Sequence, residues 1–365
     1  VKKRVYLLLR QLCWLAALVL ALYALAWVGR QVYAPPAAGA KLRVALFING
    51  TRGDKSMFDS AARGMEQVRA TLPVQTRVIE GGTDPTRWEA GLSDLADSGD
   101  YDVVVTGTFT MVPYVQKLAA EFPAVRFIVF DAAVDYASCA CGNVYSLLFR
   151  QNEGAYLAGF LGARLMQQGL PGAPAGSGLG VIGGMQFPVI EDFIIGFRAG
   201  ARSAVPGTVI QSQYANAFSD PAAGKEIAKS QFGEGAGLIF HAAGATGQGV
   251  TEAAMEAGRY AIGVDMDQYL LYRASNPQRA AHIVASVLKN VDAGLLRAVR
   301  LQLDGTLPYG RSESVGLAEG GIQLTRHSDV MDAAPPALLR ELDARQDDIV
   351  RGRIRVPGAF DQPRI

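Results

Sequence analysis

The chain has 365 residues, more than one hydrophobic core usually serves and enough for two. Half of it is hydrophobic and 19% charged, the balance of an ordinary globular protein. Lys plus Arg number 35 against 34 Asp plus Glu, which excludes nucleic-acid binding through bulk charge, so no nucleic-acid partner is expected.

Residues 12–28, LCWLAALVLALYALAWV, follow Lys2, Lys3, Arg4 and Arg10. A positive start and an apolar core read as a secretory signal, with Ala38-Gly39-Ala40 as the cleavage site. The second reading is an uncleaved anchor, at the short end of what spans a bilayer. No lipobox precedes Cys13, since its neighbours are Arg10, Gln11 and Leu12. Both readings place residues from Lys41 onward outside the cytoplasm, because the charges come first. Residues 34–40, APPAAGA, form a linker by composition.

Short apolar runs then alternate with amphipathic stretches. Strands are predicted over 44–48, 76–80, 103–106 and 127–130, with helices over 56–71, 85–96 and 111–122. Asp84 is the expected cap of the second helix. A second series follows: helix 154–167, strand 179–182, helix 189–203, strand 209–213, helix 221–231, strand 238–240, helix 249–257 and strand 261–264. A long helix is predicted over 277–301, short strands near Ser314 and Gln323, and a last helix over 336–351. The repeated βα pattern predicts an α/β protein of two doubly wound parallel-sheet lobes. The expected division puts a signal peptide or anchor plus linker at 1–40. Lobe one takes 41–148 and 266–300; lobe two takes 149–265 and 301–365.

In such sheets ligands bind outside the carboxyl ends of the strands, so the expected site is the cleft between the lobes. Several predicted strands end in polar or glycine residues: Asn49; Gly107, Thr108 and Phe109; Asp131; Met185 and Gln186; His241 and Gly244; Asp265 and Asp267. A carboxylate there can accept two hydrogen bonds from a vicinal diol, or cap the next turn. Met57 or Phe58 in one lobe and Phe218 in the other are placed to stack on a flat ligand. Gly244 opens GATGQG, a tight turn that matches neither a dinucleotide fingerprint nor a phosphate loop.

Catalytic and metal signals are weak. No G-x-S-x-G occurs, Ser56 has no evident histidine partner, and His241 reads as a strand-end residue. Cys139 and Cys141 are either incidental or locally bridged. His241, His282 and His327 are far apart in sequence, so no metal and no cofactor are expected.

The stretches GDKSMFDSAARGM, FRQNEGAYLAGFLGARL, GVIGGMQFPVIEDFIIGFRAG, FSDPAAGKEIA, AAGATGQGV, YAIGVDMDQ and ASVLKNVD, in that order, resemble the basic membrane protein family of solute-binding proteins. That family includes the purine nucleoside receptor lipoproteins of bacterial ABC importers, and the resemblance covers about residues 41–357. It implies a type I periplasmic-binding fold with three crossover strands, and a permease partner in the inner membrane. It also implies that Asp131 binds ribose hydroxyls and Phe218 stacks on the base, while Asp265 and Lys289 match the family's GVD and VLK motifs. Two positions depart from the nucleoside binders. Asn49 stands where they carry Asp, and Met57-Phe58 replaces a single Phe. The expectation is a non-enzymatic receptor that closes on a purine nucleoside by hinge motion. A membrane-tethered sensor on the same fold and a nucleoside-processing enzyme are the alternatives.

Overall fold

The structure is a computed structural model that describes residues 42–361; the apolar leader and the linker lie outside them. The chain opens with β1 (Leu42–Ile48), α1 (Met57–Thr71), β2 (Val74–Glu80), α2 (Trp88–Asp97), β3 (Val103–Gly107), α3 (Val112–Glu121), β4 (Arg126–Phe130) and β5 (Val144–Phe149). Then come α4 (Gln151–Gln168), β6 (Gly178–Gly183), α5 (Pro188–Ala204), β7 (Ile210–Tyr214), α6 (Pro221–Gly233), β8 (Ala236–Ala242), α7 (Gly247–Ala257) and β9 (Tyr260–Asp265). The last part holds α8 (Gln268–Arg273), α9 (Pro277–Ala281), β10 (Ile283–Lys289), α10 (Val291–Leu303), β11 (Arg311–Val315), β12 (Ile322–Leu324), α11 (Asp329–Asp332) and α12 (Pro336–Val350). Central strands such as VVVTG in β3 are buried at every position. Helices cover both faces, so these strands read as continuous apolar runs rather than alternating ones.

Among the described residues the strands form two six-stranded sheets, ordered β11-β5-β4-β3-β1-β2 and β12-β10-β9-β8-β6-β7. The two orders are equivalent place for place: β1 corresponds to β6, β3 to β8 and β4 to β9. All neighbours run parallel except β12, which lies antiparallel on β10. The chain crosses between sheets after β5, after β10 and after β11.

The predicted α/β architecture of two doubly wound sheets stands, but three local expectations do not. The run 277–301 is not one helix. It is a single turn and a half of helix, the strand β10, and then α10. A fully buried strand such as IVASVLK carries no alternation, so periodicity cannot separate it from a buried helix. The strand β5 was not anticipated at all. The lobe division shifts in consequence. β10 belongs to the second sheet although 266–300 was assigned to the first lobe, and β11 belongs to the first sheet although 301–365 was assigned to the second. Residues that return to a sheet after a long excursion leave no mark of it in local pattern.

Asp84 caps the 3-10 turn Pro85–Arg87 that leads into α2, accepting from the Thr86 amide; the predicted helix from 85 is this turn followed by α2. Helices α4 and α5 pack backbone to backbone. A Cβ at Gly200 would lie 1.9 Å from the Tyr156 carbonyl oxygen, and one at Gly159 2.0 Å from that of Phe197. At the start of α4, the Gln151 side chain and the Asn152 amide bond to Asp192 of α5.

Candidate ligand-binding site

A cavity of about 600 Å³ lies where the carboxyl ends of the two sheets face each other. Its wall takes residues that follow β1, β3, β4, β6 and β8, and the last residues of β9 and β10. Of the residues named from the sequence, Asn49, Met57, Phe58, Thr108, Phe109, Asp131, Met185, Phe218, Gly244, Asp265 and Lys289 line it. Asp267 and Gln186 do not. Asp267 instead caps α8 through the Leu270 amide and pairs with His327.

The polar floor has two halves, one from each sheet. Asp131 follows β4 and Asp265 ends β9, the equivalent strands, and both hold left-handed backbone at φ 60° and 64°. Such backbone costs a non-glycine residue on the order of 1–2 kcal/mol, and it persists where surrounding contacts impose it. For Asp131 one such contact is its amide bond to the Leu147 carbonyl, 2.8 Å. Each carboxylate reaches across the cleft. Asp131 accepts from Lys289 Nζ at 2.6 Å, and Asp265 accepts from the Ser56 hydroxyl at the start of α1. The Asp131 and Lys289 side chains are 9% and 3% exposed, so this is a buried pair whose separation would strand a charge. Lys289 also stands 5.1 Å from the centre of the Phe193 ring. Burial raises the Asp265 carboxyl above its ordinary range, while Lys289 and the Ser56 hydroxyl pull it back.

The aromatic walls rest on glycines at equivalent places. A Cβ at Gly50, just after β1, would sit 2.5 Å from the Phe58 ring; one at Gly184, just after β6, would sit 2.3 Å from the Phe218 ring. Gly244 (φ +56) continues the wall after β8, and a Cβ there would press on the Phe218 carbonyl at 3.1 Å. The chemistry of this cavity is therefore two apolar ring faces, one from each lobe, over a floor of carboxylates and an ammonium.

Several contributors escaped the sequence reading. Asp54 lines the cavity and accepts from the amides of Ser56, Phe58 and Asp59, which aligns the start of α1 and with it Met57 and Phe58. Burial pushes its carboxyl up to about 6 against the pull of those amides. The acidic residue just before an apolar helical run was the available signal. Thr110, Phe193 and Trp88 also line the cavity. Asn49 lies on the wall too, but its amide nitrogen is committed to the hydroxyls of Thr108 and Thr110, at 3.0 and 2.9 Å.

None of the three histidines lines the cavity. His241 is fully buried at the end of β8, bonded to Gln268, and burial drives its pKa down to about 4. Cys139 and Cys141 form a disulfide in the loop between β4 and β5. Among the described residues no cluster of metal-ligating side chains occurs, and no helix is long and apolar enough to cross a membrane.

Known proteins share the sequence family and the fold. Residues 41–359 match the profile of the family described as "ABC transporter substrate-binding protein PnrA-like". Basic membrane protein D of Borreliella burgdorferi is 28% identical over 317 residues, covering 86% of this chain and 87% of its own. The CD4+ T-cell-stimulating antigen of Listeria monocytogenes is 27% identical, over 83% of this chain and 84% of its own. Among solved structures, an ABC transporter solute-binding protein from Aeropyrum pernix superposes with a TM-score of 0.75 at 24% identity, covering 87% of this chain and 94% of that one. A solute-binding protein from Conexibacter woesei gives 0.68 at 24%, over 87% and 99%. These likenesses carry the fold, the type I periplasmic-binding architecture, and the family match carries the role of an extracytoplasmic receptor that serves a permease. The chain belongs to the PnrA-like family of ABC transporter substrate-binding proteins.

Proposed function

We propose that the protein captures a nucleoside, most readily a purine nucleoside, by closing its two lobes on it, and hands it unaltered to an ABC permease in the inner membrane. The observation that carries this reading is the pairing inside one cavity of two ring faces, Phe58 and Phe218, with the floor of Asp131, Asp265 and Lys289. A base offers flat faces for the rings and a ribose offers vicinal hydroxyls for the carboxylates. Each half of this set comes from a different lobe, so a ligand reaches all of it only when the lobes are together, which is the differential affinity that closure requires. The leader at 12–28 fits the same role, as a cleaved signal or an anchor that keeps the receptor near its permease.

The test is a thermal-shift screen of nucleosides, bases, sugars and amino acids, followed by calorimetry. A ligand at 100 times its Kd raises stability by about 2.7 kcal/mol. Nucleosides should give the largest shift. Asp131→Ala should abolish nucleoside binding in a folded protein, and Phe218→Ala should weaken it by about 1–3 kcal/mol, the range of one stacked base. A shift from sugars or amino acids with none from nucleosides would overturn the reading.

A further inference from the structure

Asn49, Thr108 and Thr110 form a closed triangle on the cavity wall. Asn49 Nδ2 lies 3.0 Å from Thr108 Oγ1 and 2.9 Å from Thr110 Oγ1, and the two hydroxyl oxygens are 2.7 Å apart. Counting hydrogens fixes how the triangle is wired. An amide nitrogen brings two hydrogens and each hydroxyl brings one. With the nitrogen inward, both amide hydrogens go to the threonines and one hydroxyl donates to the other. One hydroxyl hydrogen then remains unused. With an oxygen inward, both hydroxyls must donate to it, and the 2.7 Å contact between them would have no hydrogen.

The opposite end of the Asn49 side chain agrees. Its Oδ1 is sealed from solvent and has no hydrogen-bond partner. A neutral amide oxygen tolerates that position far better than a carboxylate oxygen would. Direct contact between Asn49 and a ligand is thus closed off at both ends of the amide. Thr108 and Thr110 line the cavity beside it, and Thr108 holds left-handed backbone at φ 74°.

We infer that Asn49 is a positioning residue that presets the Thr108–Thr110 pair to offer one hydrogen-bond donor to the ligand, so that this wall selects a hydrogen-bond acceptor. On the nucleoside reading, on which the ligand half of this inference rests, the acceptor is a ring nitrogen or keto oxygen of the base. An ionised Asp at position 49 would draw both hydroxyl hydrogens to itself and leave the wall with acceptors alone.

Two measurements test it. The first needs no ligand: hydrogen exchange of the Asn49 side-chain amide by NMR. Both hydrogens should be protected in the parent, and Thr110→Val should release one; two fast-exchanging hydrogens in the parent overturn the wiring. The second compares purine riboside, whose base carries acceptors and no N–H, with adenosine, which adds an amino donor, by calorimetry at pH 8. Asn49→Asp should weaken purine riboside about tenfold more than adenosine. Thr110→Val should keep the parent ranking, because Thr108 still accepts one amide hydrogen and keeps its own free. Equal losses for both nucleosides in Asn49→Asp, or a Thr110→Val that changes the ranking as Asn49→Asp does, overturn the inference. If neither nucleoside binds the parent, the nucleoside reading falls, and the exchange measurement alone decides the wiring.

Discussion

Asp192 shows how a buried side chain makes stability depend on pH. It is 2% exposed and accepts from Gln151 Nε2, the Asn152 amide and the Ala359 amide. Burial nevertheless pushes its carboxyl up to about 6, from an ordinary 3.8. The folded protein therefore holds a proton at pH values where the unfolded chain has released it. The stabilisation is complete below about pH 4 and is lost as pH rises through about 6. His241 acts in the opposite sense. Its neutral form is buried, so its contribution is present above pH 6.5 and is lost as pH falls through about 4. Asp192→Asn should flatten the fall in stability between about pH 4 and pH 7 by up to about 3 kcal/mol, read from urea midpoints across pH. A slope identical to the parent's would show that Asp192 is ionised in the folded protein throughout. At this scale the sequence pointed to Asp131 and Asp265 because strand ends mark the ligand side of such sheets, and to Phe58 and Phe218 as loop rings placed to stack on a flat ligand. It did not reveal Ser56 or Asp54, whose importance comes from partners: Asp265 lies 209 residues from Ser56.

At the scale of elements, the contact of α4 with α5 is a tightly constrained joint in the second lobe. Gly200→Ala should be strongly destabilising although alanine is the better helix former by about 1 kcal/mol. The new methyl would meet the Tyr156 carbonyl at 1.9 Å, and backbone cannot step aside as a side chain can. Overpacking of this kind costs typically 1–3 kcal/mol and more where nothing relaxes. Urea denaturation measures it, and a midpoint equal to the parent's would mean that the helices separate freely. The same scale shows where sequence reading stops. Amphipathic helices such as α5, with Phe193, Phe197 and Ala201 on one buried stripe, were legible from spacing. Strands β5 and β10 were not, because each is buried on both faces and lies at a lobe crossing, beside helices of similar apolar content.

For the whole molecule, the two lobes also meet through ring contacts beyond the polar floor of the cavity. Lys55 Nζ stands 4.4 Å from the centre of the Tyr272 ring, and the rings of Phe109 and Phe187 lie 3.9 Å apart. Each joins one lobe to the other. If closure is linked to the ligand, small-angle scattering should show a smaller radius of gyration with saturating nucleoside. An unchanged radius with tight binding would remove hinge motion from the mechanism. Lys55→Ala should then speed ligand release, since it loosens the closed form without touching the cavity wall. An unaltered release rate would make the contact incidental.

The sequence by itself determined the class of fold, the polar residues at the strand ends and the family, because strand and helix periodicity, turn residues and motif order are local and survive in one dimension. Only the tertiary structure decided which lobe each late segment joins, that Lys289 meets Asp131 across the cleft, and that the Asn49 amide faces two threonines. Those facts depend on residues far apart in the chain whose approach is set by sheet order, and no local pattern records it.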